Sequence, residues 1–472
     1  MRTKILATDQ SSPTNVRWVS RSRLIIIFWL AAIISLGVMA ATGPAGWDAQ
    51  ISWKAIQYLR HGLDPYAAGI AAQQASPNRP APSPTEHVPF TRARLVYDYS
   101  PLTIPLLRLL GTLPDWLLVL IYGTAVAAGF LLQLRAGFQL AGKHERLWLA
   151  LLLPAVAFFP GLITDDAILS GNVAYILYGL VLTAAVPGWK RGRWFWYYLA
   201  VLAASIIKAP MLTLLAFPIL VGRRQWLSAT STAAAGLSLI AAQAWLWPEL
   251  FREYLATIRI LFDLGADFGY GPAGVLGRSL WNKGQPYSPA TTITYLAFAG
   301  AIGVALLFLA RRVRQTHLSR ETWIPVALVG TFLLYPRIMK YDMAAITVPM
   351  LLIGWRTLRS ALTLSSGASP DQALRLAEEP ARPGSMAPAG AFWRSRPNLT
   401  LLIAGAVCFL IPNLITVAGP PWWPVELVVM LAIFAMGIWS LSSPSLSAPP
   451  SIVPARVIYE EVDPIGAVEP IT

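Results

Sequence analysis

Apolar stretches long enough to form helices recur along this chain from Leu24 to Leu441. A helix needs roughly 20 mostly apolar residues to cross the hydrocarbon core of a bilayer. Hydrophobic residues fill 56% of the 472 positions and charged residues only 13%. In a soluble globular protein, about a quarter of the residues are charged. The sequence therefore predicts an all-α polytopic membrane protein and excludes an ordinary soluble enzyme.

Charges, prolines and glycines divide the apolar sequence into twelve predicted spans. They cover residues 24–41, 115–137, 147–163, 168–186, 194–207, 209–221, 227–247, 289–310, 323–336, 341–355, 398–418 and 422–441. With the N-terminus in the cytoplasm, most Lys and Arg residues fall in inner segments, as the positive-inside rule requires. This topology accounts for the net charge of +14, so nothing implies nucleic acid as a partner. We expect a multi-pass protein of the plasma (inner) membrane with both termini cytoplasmic.

The spans and the segments between them divide the chain into five parts. A cytoplasmic segment, 1–23, precedes a membrane core, 24–355, whose long outer loops are 42–114 and 248–288. The remaining parts are a cytoplasmic linker (356–397), a C-terminal helix pair (398–441) and a cytoplasmic tail (442–472). Pro, Ser and Ala dominate the linker and the tail, which we expect to be disordered. The first helix is longer than a usual signal sequence, so we expect an uncleaved anchor.

Two pairs of predicted spans are short and are separated by a proline. One break is Lys208-Ala209-Pro210 and the other is Pro336-Arg337. Proline lacks a backbone donor and disfavours helical geometry in the residue before it. A single long helix over 194–221 is the alternative, but it would move the basic cluster at 311–314 to the outer side. Because irregular backbone at membrane depth survives only in protein or beside a wet cavity, the breaks predict one outward-facing cavity.

Ionisable residues lie at both breaks. Lys208 is at the first, and Arg337, Lys340 and Asp342 are at the second. A charged group in the middle of a span costs at least about 2.5–3.5 kcal/mol, which makes such residues functional candidates. The three cations are candidates for binding a phosphate, Arg with two bonds and Lys as a point charge. Snorkelling to the outer interface is the alternative, because each residue is near the end of a span.

Asp48 directly follows the first span. It begins a run through Ile51, Ala55 and Tyr58 whose spacing is typical of an amphipathic helix at the membrane interface. A carboxylate held there is ionised at neutral pH and could remove a proton from an acceptor hydroxyl. The alternative is an Asp that stabilises the N-terminus of a helix.

Several further residues of the outer side are candidates for binding a substrate. The segment from His61 through Asp64 is typical of a helix stop and turn, and we favour a structural role for both. Tyrosines near it could lie against a sugar, or anchor the chain at the interface. Adjacent carboxylates in an outer turn could hold a metal, but two without a third ligand favour hydrated charges. The candidate substrate-binding residues are Tyr66, Tyr97, Tyr99, Asp165, Asp166, Asn172 and Asp342.

The usual metal and cofactor patterns are absent from the sequence. Cys408 is the only cysteine, which excludes an intrachain disulfide and a thiolate metal site. The four histidines lack paired metal-ligand spacing. Phosphate-binding-loop, His-Glu-x-x-His and Gly-x-Ser-x-Gly motifs do not occur. We expect no metal and no cofactor. A glycine-rich stretch at 265–271 could close over a site, although a mobile loop is the plainer interpretation.

Six short motifs occur in order over about the first 355 residues. They are Trp47-Asp48, Leu59-Arg60-His61-Gly62-Leu63-Asp64-Pro65-Tyr66, Tyr97-Asp98-Tyr99-Ser100-Pro101, Ser170-Gly171-Asn172, Ile207-Lys208-Ala209-Pro210 and Tyr335-Pro336-Arg337-Ile338-Met339-Lys340-Tyr341-Asp342. Together they resemble glycosyltransferase family 87, the polyprenol-phosphate-mannose-dependent mannosyltransferase-like membrane proteins with the GT-C fold. The chain differs from the family pattern at Asn172, where Gln is common, and near Lys340, where His is common.

The resemblance implies a GT-C-like core with interfacial helices in the first outer loop. It implies an inverting transfer of mannose, or another hexose or pentose, from a polyprenyl-phosphate donor to a lipid or glycan hydroxyl on the outer face. Asp48 matches the position of the family's catalytic carboxylate, and Lys208, Arg337 and Lys340 would stabilise the departing phosphate without a metal. Membrane lipids would be further partners. The alternatives are a lipid-linked sugar flippase or other multi-pass transporter, and an inert membrane scaffold.

Overall fold

The computed structural model describes residues 21–42, 46–74, 96–142, 145–146, 149–150, 153, 169–222, 225–263, 269, 271–272, 274–276, 289–316, 318–365 and 425–442. Every regular element among them is helical, as the sequence predicts. The α-helices are α1 (Arg21–Thr42), α2 (Trp47–Arg60), α3 (Pro65–Gln74), α4 (Ile104–Leu110), α5 (Asp115–Phe138), α6 (Ala174–Arg191), α7 (Phe195–Ile207), α8 (Ala216–Val221), α9 (Trp226–Leu246), α10 (Pro248–Asp263), α11 (Pro289–Thr316), α12 (Arg320–Leu333), α13 (Lys340–Met343), α14 (Thr347–Ser365) and α15 (Val425–Ser442). Short 3-10 helices, Pro101–Thr103, Ala209–Leu215 and Ala344–Ile346, precede α4, α8 and α14.

Two helices in the described part are long and apolar enough to cross a membrane. They are Asp115–Phe138 and Pro289–Gln315. Both expose large apolar side chains, including Leu131 on the first, 61% exposed, and Val304 on the second, 68% exposed. Such surfaces are unfavourable in water and suit contact with lipid.

Some of the other predicted spans correspond to shorter apolar helices, and some lie outside the described part. The helices α7 and α15 are apolar but shorter than a full span by the same measure. The predicted spans 147–163 and 398–418 fall almost entirely outside the described residues, as do the tail and most of the linker. The start of the linker differs from the prediction, because α14 continues to Ser365. The number of twelve spans therefore stays a prediction.

Glycines let α5 and α6 approach each other closely. A Cβ atom on Gly129 would lie 2.4 Å from the carbonyl oxygen of Tyr175, and one on Gly179 would lie 2.5 Å from the carbonyl oxygen of Gly129. Small residues at such contacts are a common means of packing helices within membranes. The Nε2 atom of Gln133 also donates to the Tyr175 carbonyl, at 2.8 Å. These contacts fix the position of α6 along α5, and with it the position of the turn before α6.

Both predicted helix breaks are present. After α7, the backbone of Lys208 leaves the helical region (φ −134°, ψ 87°), and a 3-10 helix follows it. The second break begins after α12 ends at Leu333, slightly before the predicted Pro336, and lasts until α13 begins at Lys340. Irregular backbone therefore interrupts the chain at two places that the prolines indicated.

A helix that the sequence pattern did not predict begins the segment assigned to the second outer loop. This helix, α10, carries charged residues on one side and apolar residues on the other. Leu250 and Tyr254 pack against a buried cluster formed by the first outer loop. The rings of Tyr254 and Tyr66 meet edge to face, with centroids 6.0 Å apart. Because α10 carries several charges, the sequence predicted a loop here. A helix with one charged side and one apolar side is typical of a membrane interface.

Arg356 joins helices at the end opposite the outer loops. Its Nε and Nη2 atoms each donate to a carboxylate oxygen of Glu145 at 2.7 Å, and Nη2 also donates to the carbonyl of Leu140 at 3.0 Å. Another bond reaches the carbonyl of Glu321, at the start of α12. One guanidinium thus connects α14 with the residues after α5 and with α12, in the bidentate geometry that arginine favours.

Candidate active site

The start of α2 and the turn before α6 are joined backbone to backbone. The amide of Asp48 donates to the carbonyl of Ser170 at 2.9 Å. Gly46 and Gly171 both have positive φ, 73° and 66°, which glycine adopts without strain. A Cβ on Gly171 would lie 3.3 Å from the Cβ of Ala49, so a larger residue would press on α2. Asp48 is thereby held at a fixed position over the turn.

Asn172 binds the carboxylate of Asp48. Its Nδ2 donates to Oδ2 of Asp48 at 2.9 Å, while its Oδ1 accepts from the amide of Ala174 at 2.8 Å. The second bond caps the first turn of α6 and sets which end of the amide faces the carboxylate. Tyr122, about two turns along α5, holds the same turn by donating to the carbonyl of Gly171 at 2.8 Å.

The surroundings of Asp48 shift its acidity. Burial raises the pKa of this carboxyl from 3.8 to about 6, although the hydrogen bond from Asn172 opposes the shift. The negative charge of Asp98 raises the pKa further, and the positive charges of Arg337 and Lys208 lower it. The carboxyl is therefore mostly ionised at pH 7, with a pKa close enough to neutrality for a general base. These four charged residues, which lie far apart in sequence, act on one another within one cluster.

Lys208 is paired with Asp342 across the two helix breaks. Its Nζ lies 3.0 Å from Oδ1 of Asp342, and the two side chains are 12% and 1% exposed. The other carboxylate oxygen accepts from the amide of Met339 at 2.9 Å. Lys208 Nζ also lies 4.6 Å from the ring centroid of Tyr341. Both oxygens of Asp342 are thus bonded within the protein, and this residue fixes the position of Lys208.

The glycine-rich stretch approaches the second break, where Arg337 lies. Gly269 has φ 66°, and a Cβ there would lie 2.7 Å from the carbonyl oxygen of Ile338 and 3.2 Å from Cγ of Arg337. Gly271 is close to the same backbone. Most of the stretch lies outside the described residues. Lys340 begins α13, but its side chain is outside the described part.

The three candidate tyrosines lie in one buried cluster, formed mainly by residues of the predicted first outer loop. Tyr66 and Tyr97 are 0% and 3% exposed. The hydroxyl of Tyr66 donates to the carbonyl of Tyr99 at 2.6 Å, and that of Tyr97 is 2.5 Å from Oγ1 of Thr103. Tyr99 is also buried, with its ring edge to face with that of Tyr97. In the described structure, these rings hold the outer loop together.

Of the other candidates, some have a structural role and some lie outside the described residues. Asp64 accepts from the amide of Tyr66 at 2.8 Å, which agrees with the structural role that we favoured. His61 is exposed and bonds the carbonyl of Gln57 at 2.7 Å. Asp165 and Asp166 lie outside the described residues. In the described part of the chain, no group of three His, Cys, Asp or Glu residues is placed to hold a metal ion.

Asp98 is a member of the charged cluster that the sequence-based candidates omitted. The signal available was a single acidic residue between two aromatic residues, immediately before an apolar run. Its neighbour Ser100 donates to the carbonyl of Ile206 at 2.6 Å, at the end of α7. The segment is thus brought to the first helix break, which sequence spacing does not reveal.

Comparison with known proteins finds one family. The model of glycosyltransferase family 87 matches residues 97–336, half of the chain. The match includes Asp98, Asn172 and Lys208, whereas Asp48 and Arg337 lie outside its limits. No curated protein and no solved structure matches the chain significantly.

Proposed function

Because this chain belongs to glycosyltransferase family 87, and is thus a membrane glycosyltransferase, we propose that it uses a polyprenyl-phosphate-linked sugar as donor. The acceptor in this proposal is a hydroxyl of a lipid or glycan at the outer face of the plasma membrane. The sugar is mannose or another hexose or pentose. The GT-C fold and the outer location are part of this proposal, which the family resemblance and the positive-inside rule support.

The observation that carries this proposal is the bonded pair of Asp48 and Asn172 beside the cations of the two helix breaks. The pair orients a carboxylate whose pKa is about 6. Lys208 and Arg337 act on the same carboxylate electrostatically, so positive charge lies within reach of it. A base and a cationic region in one cluster are what a sugar transfer with a phosphate leaving group requires.

In the proposed reaction, Asp48 takes the proton of the acceptor hydroxyl. The hydroxyl oxygen then forms a bond to the anomeric carbon, on the face opposite the phosphate. The bond between that carbon and the phosphate oxygen breaks, and its electron pair stays on the lipid phosphate. The products are the glycosylated acceptor with inverted configuration and the polyprenyl phosphate. Asp48 returns its proton to water.

The cations of the breaks would stabilise the negative charge that develops on the leaving phosphate. An ammonium group has three N–H donors, and the bond to Asp342 uses one of those of Lys208. In this proposal, Arg337 and Lys340 contact the phosphate with Lys208, and Asp342 positions Lys208. Fixed charges of this kind can replace a divalent metal, so no metal or other cofactor takes part.

Substrate binding by the remaining candidates also belongs to this proposal. Asn172 would act on the acceptor indirectly, by holding the Asp48 carboxylate that takes the proton of the acceptor hydroxyl. Asp165 and Asp166 precede the same turn by a few residues, which makes them proposed contacts of a sugar. The binding region would be supported by the packed rings of Tyr66, Tyr97 and Tyr99.

The test is sugar transfer by the purified protein in lipid nanodiscs. Labelled polyprenyl-phosphate-mannose is the first donor, a membrane lipid extract supplies acceptors, and a chelator is added in parallel. We expect transfer that survives the chelator and is lost in Asp48→Asn. Asp64→Asn is the matched control, because it makes the same change in the same loop and its amide oxygen can still cap α3.

Two results would contradict the proposal. Full activity in Asp48→Asn would remove this residue from the reaction. Failure to transfer from a panel of polyprenyl-phosphate sugars would refute this donor class, and flipping of the same lipids across vesicles would then identify a transporter.

A further inference from the structure

Asp98 lies between two residues that are held in place by hydrogen bonds. The backbone on its C-terminal side is fixed by the bond from the Tyr66 hydroxyl to the Tyr99 carbonyl. On its N-terminal side, the buried side chain of Tyr97 bonds Thr103. Because both neighbours are held, the position of the Asp98 carboxylate is set by the fold rather than by a flexible loop.

Asp98 is a partly buried residue, and one oxygen of its carboxylate is buried without a hydrogen-bond partner in the described part of the chain. Its Oδ1 has essentially no contact with solvent and accepts no hydrogen bond from any residue in the described part of the chain. Buried acceptors in native proteins are nearly always satisfied, and exceptions tend to mark a functional position or an absent ligand. This atom is a candidate for contact with a substrate.

The charges around Asp98 restrict what that substrate group can be. Burial raises the pKa of the carboxyl, whereas the neighbouring charge of Arg337, and more weakly that of Lys208, lowers it. These neighbouring cations favour the ionised form of Asp98, which only accepts hydrogen bonds and repels a phosphate. The group that suits it is a neutral donor, such as the hydroxyl of a sugar. Asp48 lies in the same cluster, so the hydroxyl would be close to the reacting atoms.

We propose that Asp98 is a substrate-binding carboxylate, and that its Oδ1 accepts a hydrogen bond from a sugar hydroxyl near Asp48. This inference rests on the proposed function of a sugar transfer. The hydroxyl belongs either to the sugar of the donor or to a glycan acceptor, which present the same chemistry. Asp98 thereby contributes to selection among sugars, a role separate from that of the base.

The first experiment separates these two sources by steady-state kinetics of Asp98→Asn. The substitution keeps the shape of the side chain and removes its charge. We expect the kcat/KM for one substrate to fall roughly 5- to 10-fold, because the amide oxygen of Asn accepts a weaker hydrogen bond than a carboxylate does. A rise in the donor KM assigns the hydroxyl to the donor, and a rise in the acceptor KM assigns it to the acceptor. Asp64→Asn is again the matched control.

The pH profile distinguishes contact from an indirect effect. Removal of the negative charge of Asp98 lowers the pKa of Asp48, so the acid limb of activity moves to lower pH. If that shift occurs while both KM values and the kcat above pH 8 are unchanged, Asp98 acts only through Asp48. The proposal of substrate contact would then be overturned.

A second experiment needs no turnover. Thermal unfolding of the detergent-solubilised protein is followed with polyprenyl-phosphate-mannose, with bare polyprenyl phosphate and with a soluble mannoside. If Asp98 binds a sugar, at least one sugar-bearing probe stabilises the wild type beyond bare polyprenyl phosphate or buffer, and Asp98→Asn loses that increment alone. Such a result in a protein without transferase activity would reject the proposed reaction but support Asp98 as a sugar contact. Equal responses of wild type and Asp98→Asn to every probe would overturn the inference.

Discussion

The bond between Asn172 and Asp48 allows a sharp prediction about pH dependence. A hydrogen bond to a charged group contributes about 1.5–3 kcal/mol, and one pKa unit corresponds to about 1.4 kcal/mol. Because Nδ2 of Asn172 donates to the ionised carboxylate, its loss in Asn172→Ala raises the pKa of Asp48 by roughly 1 to 2 units. The starting value is about 6, so the acid limb should move to about pH 7–8.

The assay is the pH profile of kcat/KM for sugar transfer. A base must be ionised to act, so activity rises as pH passes the pKa of Asp48 and levels off above it. At pH 7, the predicted shift lowers the ionised fraction of Asp48 about 2- to 10-fold, and the activity of Asn172→Ala should recover most of this loss by pH 9. Asn172→Asp keeps an oxygen for the amide of Ala174 and adds a second carboxylate beside Asp48. The acid limb of this variant should therefore move to a still higher pH.

The control for this prediction is Tyr122→Phe. It removes the bond to the Gly171 carbonyl and loosens the same turn, but it leaves the amide of Asn172 in place. Its acid limb should stay near that of the wild type. The reasoning would be refuted if Asn172→Ala lost activity equally at every pH, since Asn172 would then position a substrate rather than set the pKa of Asp48.

Three further predictions concern packing around the site and at the opposite end of the helices. Lys208→Met should lower the free energy of unfolding by about 3–5 kcal/mol, because it leaves the buried charge of Asp342 unpaired. The double variant with Asp342→Asn should lose less than the sum of the two single losses in thermal unfolding, and simple additivity would contradict the pairing. Gly269→Ala should raise the donor KM while the protein stays folded, because its Cβ meets backbone beside the second break. Gly300→Ala, with open space around it, should leave this KM unchanged. Arg356→Gln should cost about 1–3 kcal/mol in thermal unfolding by leaving buried acceptors unbonded, and an altered pH profile would argue against a purely structural role.

The sequence alone predicted the class of the protein and several local features of its fold. Long apolar stretches indicated a helical membrane protein, and the structure describes helices throughout. The breaks after α7 and after α12 were predicted because proline acts on its own backbone and on the residue before it. Asp48 was a candidate because it begins an amphipathic stretch next to a span. The predicted family is confirmed by the match over residues 97–336.

Other features were beyond the reach of sequence patterns for physical reasons. The amphipathic helix α10 was missed because its charges, read without helical periodicity, indicate a loop. The burial of Tyr66 and Tyr97 depends on helices that meet only after folding, and interfacial tyrosines have the same local pattern. Asp98 was passed over because its missing hydrogen-bond partner is a property of its surroundings and not of its sequence.

The sequence by itself determined that the chain is a helical membrane protein, where two of its helices break and which family it belongs to. These properties depend on hydropathy, on proline and on motif order, which are local or can be counted along the chain. The tertiary structure decided that Asn172 binds Asp48, 124 positions away, and that Lys208 pairs with Asp342, 134 positions away. Such contacts depend on how helices pack, and packing also sets the burial that moves the pKa of Asp48 toward neutrality.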